Sequence, residues 1–151
     1  MSPVHHGSRR AVLAPALAGV GLVVLVIGTF LPWLRSGATE RNSYAAGGVI
    51  RRLLAPDGAE GALLTVWPLI AVLCAAALAG YALGFHRSAL IVAAIPAIAA
   101  GAVSIDALLT APSTYASVTS SGPAVTLAGT ALVLVGVLAS LFHRRAHRST
   151  S

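Results

Sequence analysis

Charge is scarce in this chain. Of its 151 residues 9% are charged, ten basic and four acidic, where an ordinary soluble domain carries about 25%. So few ionic groups cannot cover a water-facing surface, which excludes a soluble globular domain. Cysteine occurs once, as Cys74 inside an apolar run. No intramolecular disulfide or cysteine metal cluster can form, and the residue reads as a small packing side chain. Lysine is absent. All ten basic residues are arginine, which with the abundant alanine has the look of a GC-rich genome and carries no mechanistic weight. Also missing are a glycine-rich phosphate loop, paired carboxylates, an activated serine or cysteine, and any Cys/His cluster at ligand spacing. The expectation is a non-enzymatic protein with no cofactor and no metal.

What the chain has is apolar length. Hydrophobic residues make up 57% and mean hydropathy is +0.87. A bilayer core takes about 20 apolar helical residues, because each adds about 1.5 Å and no backbone polar group is left unpaired in lipid. Four segments qualify, at about 11–34, 64–85, 88–110 and 123–142. The expected fold is an all-α membrane protein: a four-transmembrane-helix antiparallel bundle in one domain, with a short amphipathic helix in the outer loop 35–63 and a basic cytoplasmic tail at 143–151.

Orientation follows from where arginine falls beside the spans. With the N-terminus inside, Arg9, Arg10, Arg87, Arg144, Arg145 and Arg148 are cytoplasmic, and Arg35, Arg41, Arg51 and Arg52 are outside. The loop PSTYASVTSSG before the fourth span carries no charge. Both termini are therefore expected in the cytoplasm of a multi-pass plasma-membrane protein. Cleavage of the first span as a signal peptide is the rival reading, but its apolar run of about 24 residues exceeds a signal core of about 7–15. The basic groups beside apolar runs fit anionic lipid head groups better than nucleic acid.

Trp33 at the exit of the first span, Trp67 at the start of the second and Tyr115 in the second outer loop sit where aromatic rings mark a membrane interface. Asn42 or Ser43 is placed to cap a helix in which Val49, Ile50, Leu53 and Leu54 form an apolar stripe, with Arg51 and Arg52 on another side. Trp33, Arg35, Arg41, Ser43, Tyr44, Arg51 and Arg52 are the candidate surface for a partner or ligand.

Asp106 is the one acidic residue inside an expected span, which makes it a candidate intramembrane polar site. It lies about one turn from the outer end, where an ion pair with a loop arginine is the structural alternative. His143 and His147 have i, i+4 spacing, but the arginines around them repel a metal cation. Small residues repeat at spacings of four and seven: Ala76, Gly80 and Gly84; Ala93, Ala97 and Gly101; Gly21 and Gly28; Gly129 and Gly136. These spacings mark faces for close helix packing. Pro96 is placed to kink the third span.

The segment PWLRSGATERNSYAA, Pro32 to Ala46, resembles the exit segment of four-span membrane proteins of actinobacteria. The likeness rests on Pro32, Trp33, Ser36, Gly37, Arg41, Ser43 and Tyr44, and it implies topology alone. The functional expectation is an accessory or scaffold subunit that meets another membrane protein, or further copies of itself, through small-residue faces and the outer loop. The alternatives are an oligomeric transporter or channel using Asp106, and an envelope sensor or lipid-binding protein reading anionic groups.

Overall fold

The computed structural model describes residues 6–36, 38–54, 58–110 and 117–148. It is mostly helical, and three of its helices are long and apolar enough to cross a membrane. The element order is α1 (His6–Phe30), β1 (Pro32–Ser36), β2 (Thr39–Asn42), α2 (Ser43–Leu54), α3 (Ala59–Val66), α4 (Leu69–Ala82), α5 (His86–Thr110), β3 (Ser117–Val118) and α6 (Ser121–Arg148). The candidate spans fall in α1, α5 and α6.

The first span stops short of its expected end at residue 34. Leu31 precedes Pro32, and the residue before a proline is pushed out of the helical region. The chain turns extended there and enters a three-stranded antiparallel sheet in the order β2-β1-β3, an element the all-α expectation does not contain. Ser36 pairs with Thr39, so β1 and β2 form a tight hairpin. The register slips between Pro32 and Leu34, leaving Trp33 as the extra residue of a bulge, a device that re-aims a side chain. On its other edge β1 pairs Leu34 with Val118 and Arg35 with Ser117. The sheet thus ties the exit of α1 to the entry of α6.

The second expected span is interrupted. Pro68 has no N–H to give to the Leu64 carbonyl four residues back, and α3 and α4 part there. Trp67 and Pro68 nevertheless keep right-handed helical dihedrals, and the Ile70 N–H reaches the Trp67 carbonyl at 3.1 Å. α4 ends in a Schellman turn: the Phe85 N–H bonds the Gly80 carbonyl at 2.9 Å and the Gly84 N–H bonds that of Tyr81 at 3.2 Å. Gly84 takes φ +83, a left-handed conformation that favours glycine. The fourth expected span begins earlier and ends later than its apolar run, with the backbone helical from Ser121 to Arg148 and Pro123 in its first turn, where a proline is tolerated.

α1 packs most extensively on α6, α6 on α5 and α5 on α4, with α4 also touching α1. The α1–α6 contact is made through backbone. A Cβ on Gly21 falls 2.6 Å from the Val133 nitrogen, and one on Gly136 falls 2.6 Å from the Ala18 nitrogen; Gly28 abuts Thr126, and Gly129 abuts Leu25. Gly101 meets Thr130 between α5 and α6, and Gly80 meets Ala89 between α4 and α5. Ala97 is fully buried. Gly84 is not a packing residue: it lies in the turn, and a Cβ there meets nothing within 4 Å.

Large apolar residues also face outward. The buried core holds many small side chains, such as Ala18, Cys74, Ala77, Ala93, Ala97 and Ala100, beside larger ones such as Leu22, Leu25 and Val133, whereas Ile91, Ile95, Ile98 and Leu109 of α5 face outward at 47–78% exposure along with Ile105. A water-soluble fold places such residues inside. Lipid removes the hydrophobic drive to bury them, and close approach of small residues then holds the helices together.

Candidate functional site

A helix leaves its last four carbonyls without intrahelical partners. At the end of α1 these groups organise everything around them. The Leu31 N–H supplies a weak bond to Gly28 at 3.3 Å, and the indole N–H of Trp33 adds a second at 2.9 Å. The Ser43 hydroxyl donates to the Thr29 carbonyl at 2.6 Å, and the Thr29 hydroxyl to the Val26 carbonyl at 2.7 Å. Ser43 in turn accepts the Trp67 indole N–H at 3.1 Å. Tyr44 brings its hydroxyl to 3.2 Å from that of Thr29 and its ring to 5.2 Å from Phe30. Trp33 and Trp67 meet edge to face at 5.7 Å between centroids, a favoured aromatic geometry.

Trp33 and Trp67 are therefore not interfacial belt residues. They are 6% and 5% exposed, because a helix end with carbonyls to satisfy and a serine hydroxyl offer their indole N–H groups better partners than the interface does. Tyr115, the third expected belt residue, lies outside the described residues. Ser43 is likewise buried, so Trp33 and Ser43 do not form an outward contact surface. The capping role falls to Asn42, whose Oδ1 accepts the Ala45 N–H at 3.0 Å.

The remaining candidates stay on the surface. Arg35 is exposed on β1 opposite Glu40, Arg41 is half-buried on β2 opposite Leu34, and Tyr44 is half-buried. Arg51 and Arg52 are exposed in the last turn of α2, where a helix's carbonyl end favours positive charge. The side chains of His143 and His147 lie outside the described residues, and among the described residues no group of three or more His, Cys, Asp or Glu side chains comes together.

Asp106 is exposed on α5 and borders an open groove of about 310 Å³. The groove runs between α2, β1, the α3–α4 junction and the end of α5, and its wall includes Trp33, Ala46, Ile50, Leu64, Trp67 and Val103. Sequence reasoning missed this juxtaposition, along with Thr29, Gly122 and Leu64. Gly122 is needed because a Cβ there collides with the Trp33 ring and comes 2.7 Å from the Pro32 carbonyl. No local pattern marks it beyond its place before Pro123.

The helices and their outward-facing apolar residues define an integral membrane protein with a small sheet and helix at one end of its spans. Comparison of the chain with family models, with curated proteins and with solved structures finds no match.

Proposed function

We propose that the chain crosses the membrane four times as an antiparallel bundle, with both termini in the cytoplasm, and serves as a non-enzymatic accessory or scaffold subunit of a larger membrane complex. The fourth crossing is α3 and α4 acting together. α4 alone, with 14 residues, reaches about 21 Å, short of a hydrocarbon core of about 30 Å. The 8 residues of α3 bring the pair to roughly 33 Å.

The observation that carries the scaffold reading is the use made of buried hydroxyls. Thr29, Ser43, Ser104, Thr126 and Thr130 are all buried, and each donates to a backbone carbonyl. Polar groups that serve chemistry or transport converge on a shared space, whereas these five are spent on backbone carbonyls, Thr29, Ser104 and Thr126 within their own helices and Ser43 and Thr130 across to a neighbouring one. The surface available to a partner is then the sheet and α2, with Arg35, Arg41, Arg51 and Arg52, together with the outward apolar helix faces.

Crosslinking in native membranes followed by purification in mild detergent tests the proposal. The expected result is one companion membrane protein at constant stoichiometry, depleted when Arg51 and Arg52 are changed to Gln. A protein that stays free of any companion through several detergents counts decisively against it.

A further inference from the structure

We propose that the groove walled by Trp33 and Trp67 holds a length of acyl chain from a membrane phospholipid. The inference goes beyond the scaffold role and requires only that the helices lie in lipid.

The side chains of the wall leave a polar ligand little to bond. The indole N–H of Trp33 is given to the Gly28 carbonyl and that of Trp67 to the Ser43 hydroxyl. Ser43 itself donates to the Thr29 carbonyl, and Asp106 is already engaged within the protein. What the groove presents is therefore carbon: two aromatic rings with Ile50, Leu64 and Val103, and small residues such as Gly47 and Ala107 that keep it open. A ligand rich in donors and acceptors would give up its water there without replacement. An apolar one loses nothing of the kind. A cavity of about 150 Å³ lined by apolar side chains stays dry and takes in benzene, and this groove has about 310 Å³, room for a length of hydrocarbon rather than a whole lipid.

The occupant is a lipid tail because the groove adjoins the outward apolar faces of the helices. On α5, Ile105 and Leu109 stand on either side of the lining residues Asp106 and Ala107, and Leu69 stands two residues after Trp67 at the start of α4. Their exposures are 47%, 78% and 53%. The groove is open, so a chain can enter it from the bilayer alongside. Left empty in lipid, its wall forfeits dispersion contacts on one side, and acyl chains are the apolar groups that the bilayer supplies in excess.

The chain's two tryptophans are both in this wall, so intrinsic fluorescence reports on what fills it. The full-length protein is reconstituted with phospholipids brominated along the acyl chain, bearing choline or glycerol head groups. Both lipids should quench, with the same mole fraction at half-quenching, because the tail is what the groove receives. Gly47→Leu fills the groove from α2, where a Cβ already comes 3.4 Å from Leu64 Cδ2, and Ala107→Leu fills it from α5. Each should lose most of the quenching while keeping a cooperative thermal unfolding transition. Gly48→Leu adds the same side chain one residue along, where a Cβ meets nothing within 4 Å, and should be quenched as the unaltered protein is. Absence of quenching, a half-quenching fraction that depends on the head group, full quenching in a folded Gly47→Leu or Ala107→Leu protein, or an equal loss in Gly48→Leu each overturns the proposal.

Discussion

Trp67 donates its indole N–H to the hydroxyl of Ser43, 24 residues earlier in the chain, at 3.1 Å. That hydroxyl passes its own proton to the Thr29 carbonyl at the end of α1. One side chain therefore joins the end of α1 and the α3–α4 junction to the start of α2.

Ser43→Ala removes both bonds and leaves a buried indole N–H and a helix-end carbonyl without that partner. The cost should be about 1–3 kcal/mol, read as a lower midpoint of thermal unfolding in detergent. Tyr44→Phe, which removes a single bond from a half-buried hydroxyl, should cost less, about 0.5–1.5 kcal/mol. Equal losses for the two variants would remove Ser43 from the centre of this network.

Glycine substitutions separate contact from propensity. Gly129→Ala places a methyl within 2.9 Å of backbone in α1 and should destabilise by about 1–3 kcal/mol through overpacking. Gly48→Ala lies inside α2, where the added Cβ meets nothing within 4 Å. That change should stabilise the helix by about 0.8–1.0 kcal/mol. Thermal unfolding of the two variants under one condition measures the opposite signs.

Gly84→Ala is a third case. The site has room, but its φ of +83 is unfavourable for a residue with a Cβ, at about 1–2 kcal/mol. Gly84→Asn should recover part of that loss, since asparagine adopts the left-handed region more readily. Were alanine and asparagine to behave alike in the same unfolding assay, the turn would not be under conformational control.

The proposed topology is checked by cysteine accessibility. Cys74 is fully buried and should not react, so the native cysteine needs no replacement. Gly58→Cys should label with a membrane-impermeant maleimide in intact cells, and Ser151→Cys only after lysis. The reverse pattern would invert the chain.

Much of this architecture is legible locally. The apolar runs at 11–34, 88–110 and 123–142 overlap α1, α5 and α6, though not at every end, because run length and the scarcity of ionic side chains are local properties. Two helix starts are local too, Asn42 ahead of α2 and Pro123 in the first turn of α6, whereas the spacing of Gly84 reads as a packing face and the residue stands in the turn after α4. The small-residue spacing of Gly21, Gly28, Gly129 and Gly136 was readable as a packing face, though not which helix would meet which. Pro32 and Pro68 were visible, but what each would do to its span depended on what the freed backbone could find next.

The candidate site was legible only as a set of residue types. Trp33, Ser43 and Asp106 drew notice for their chemistry, and their partners lie far away in the chain or carry no mark in it. The sheet shows why: β3 is a two-residue strand whose existence depends on β1 being held beside it by the packing of α1 on α6. Sequence alone determined that this chain belongs with lipid, since that follows from how few ionic groups its long apolar runs contain. Whether Trp33 faces lipid or closes a helix end was decided only in three dimensions, because a hydrogen bond depends on where the donor and acceptor meet and not on how many residues separate them.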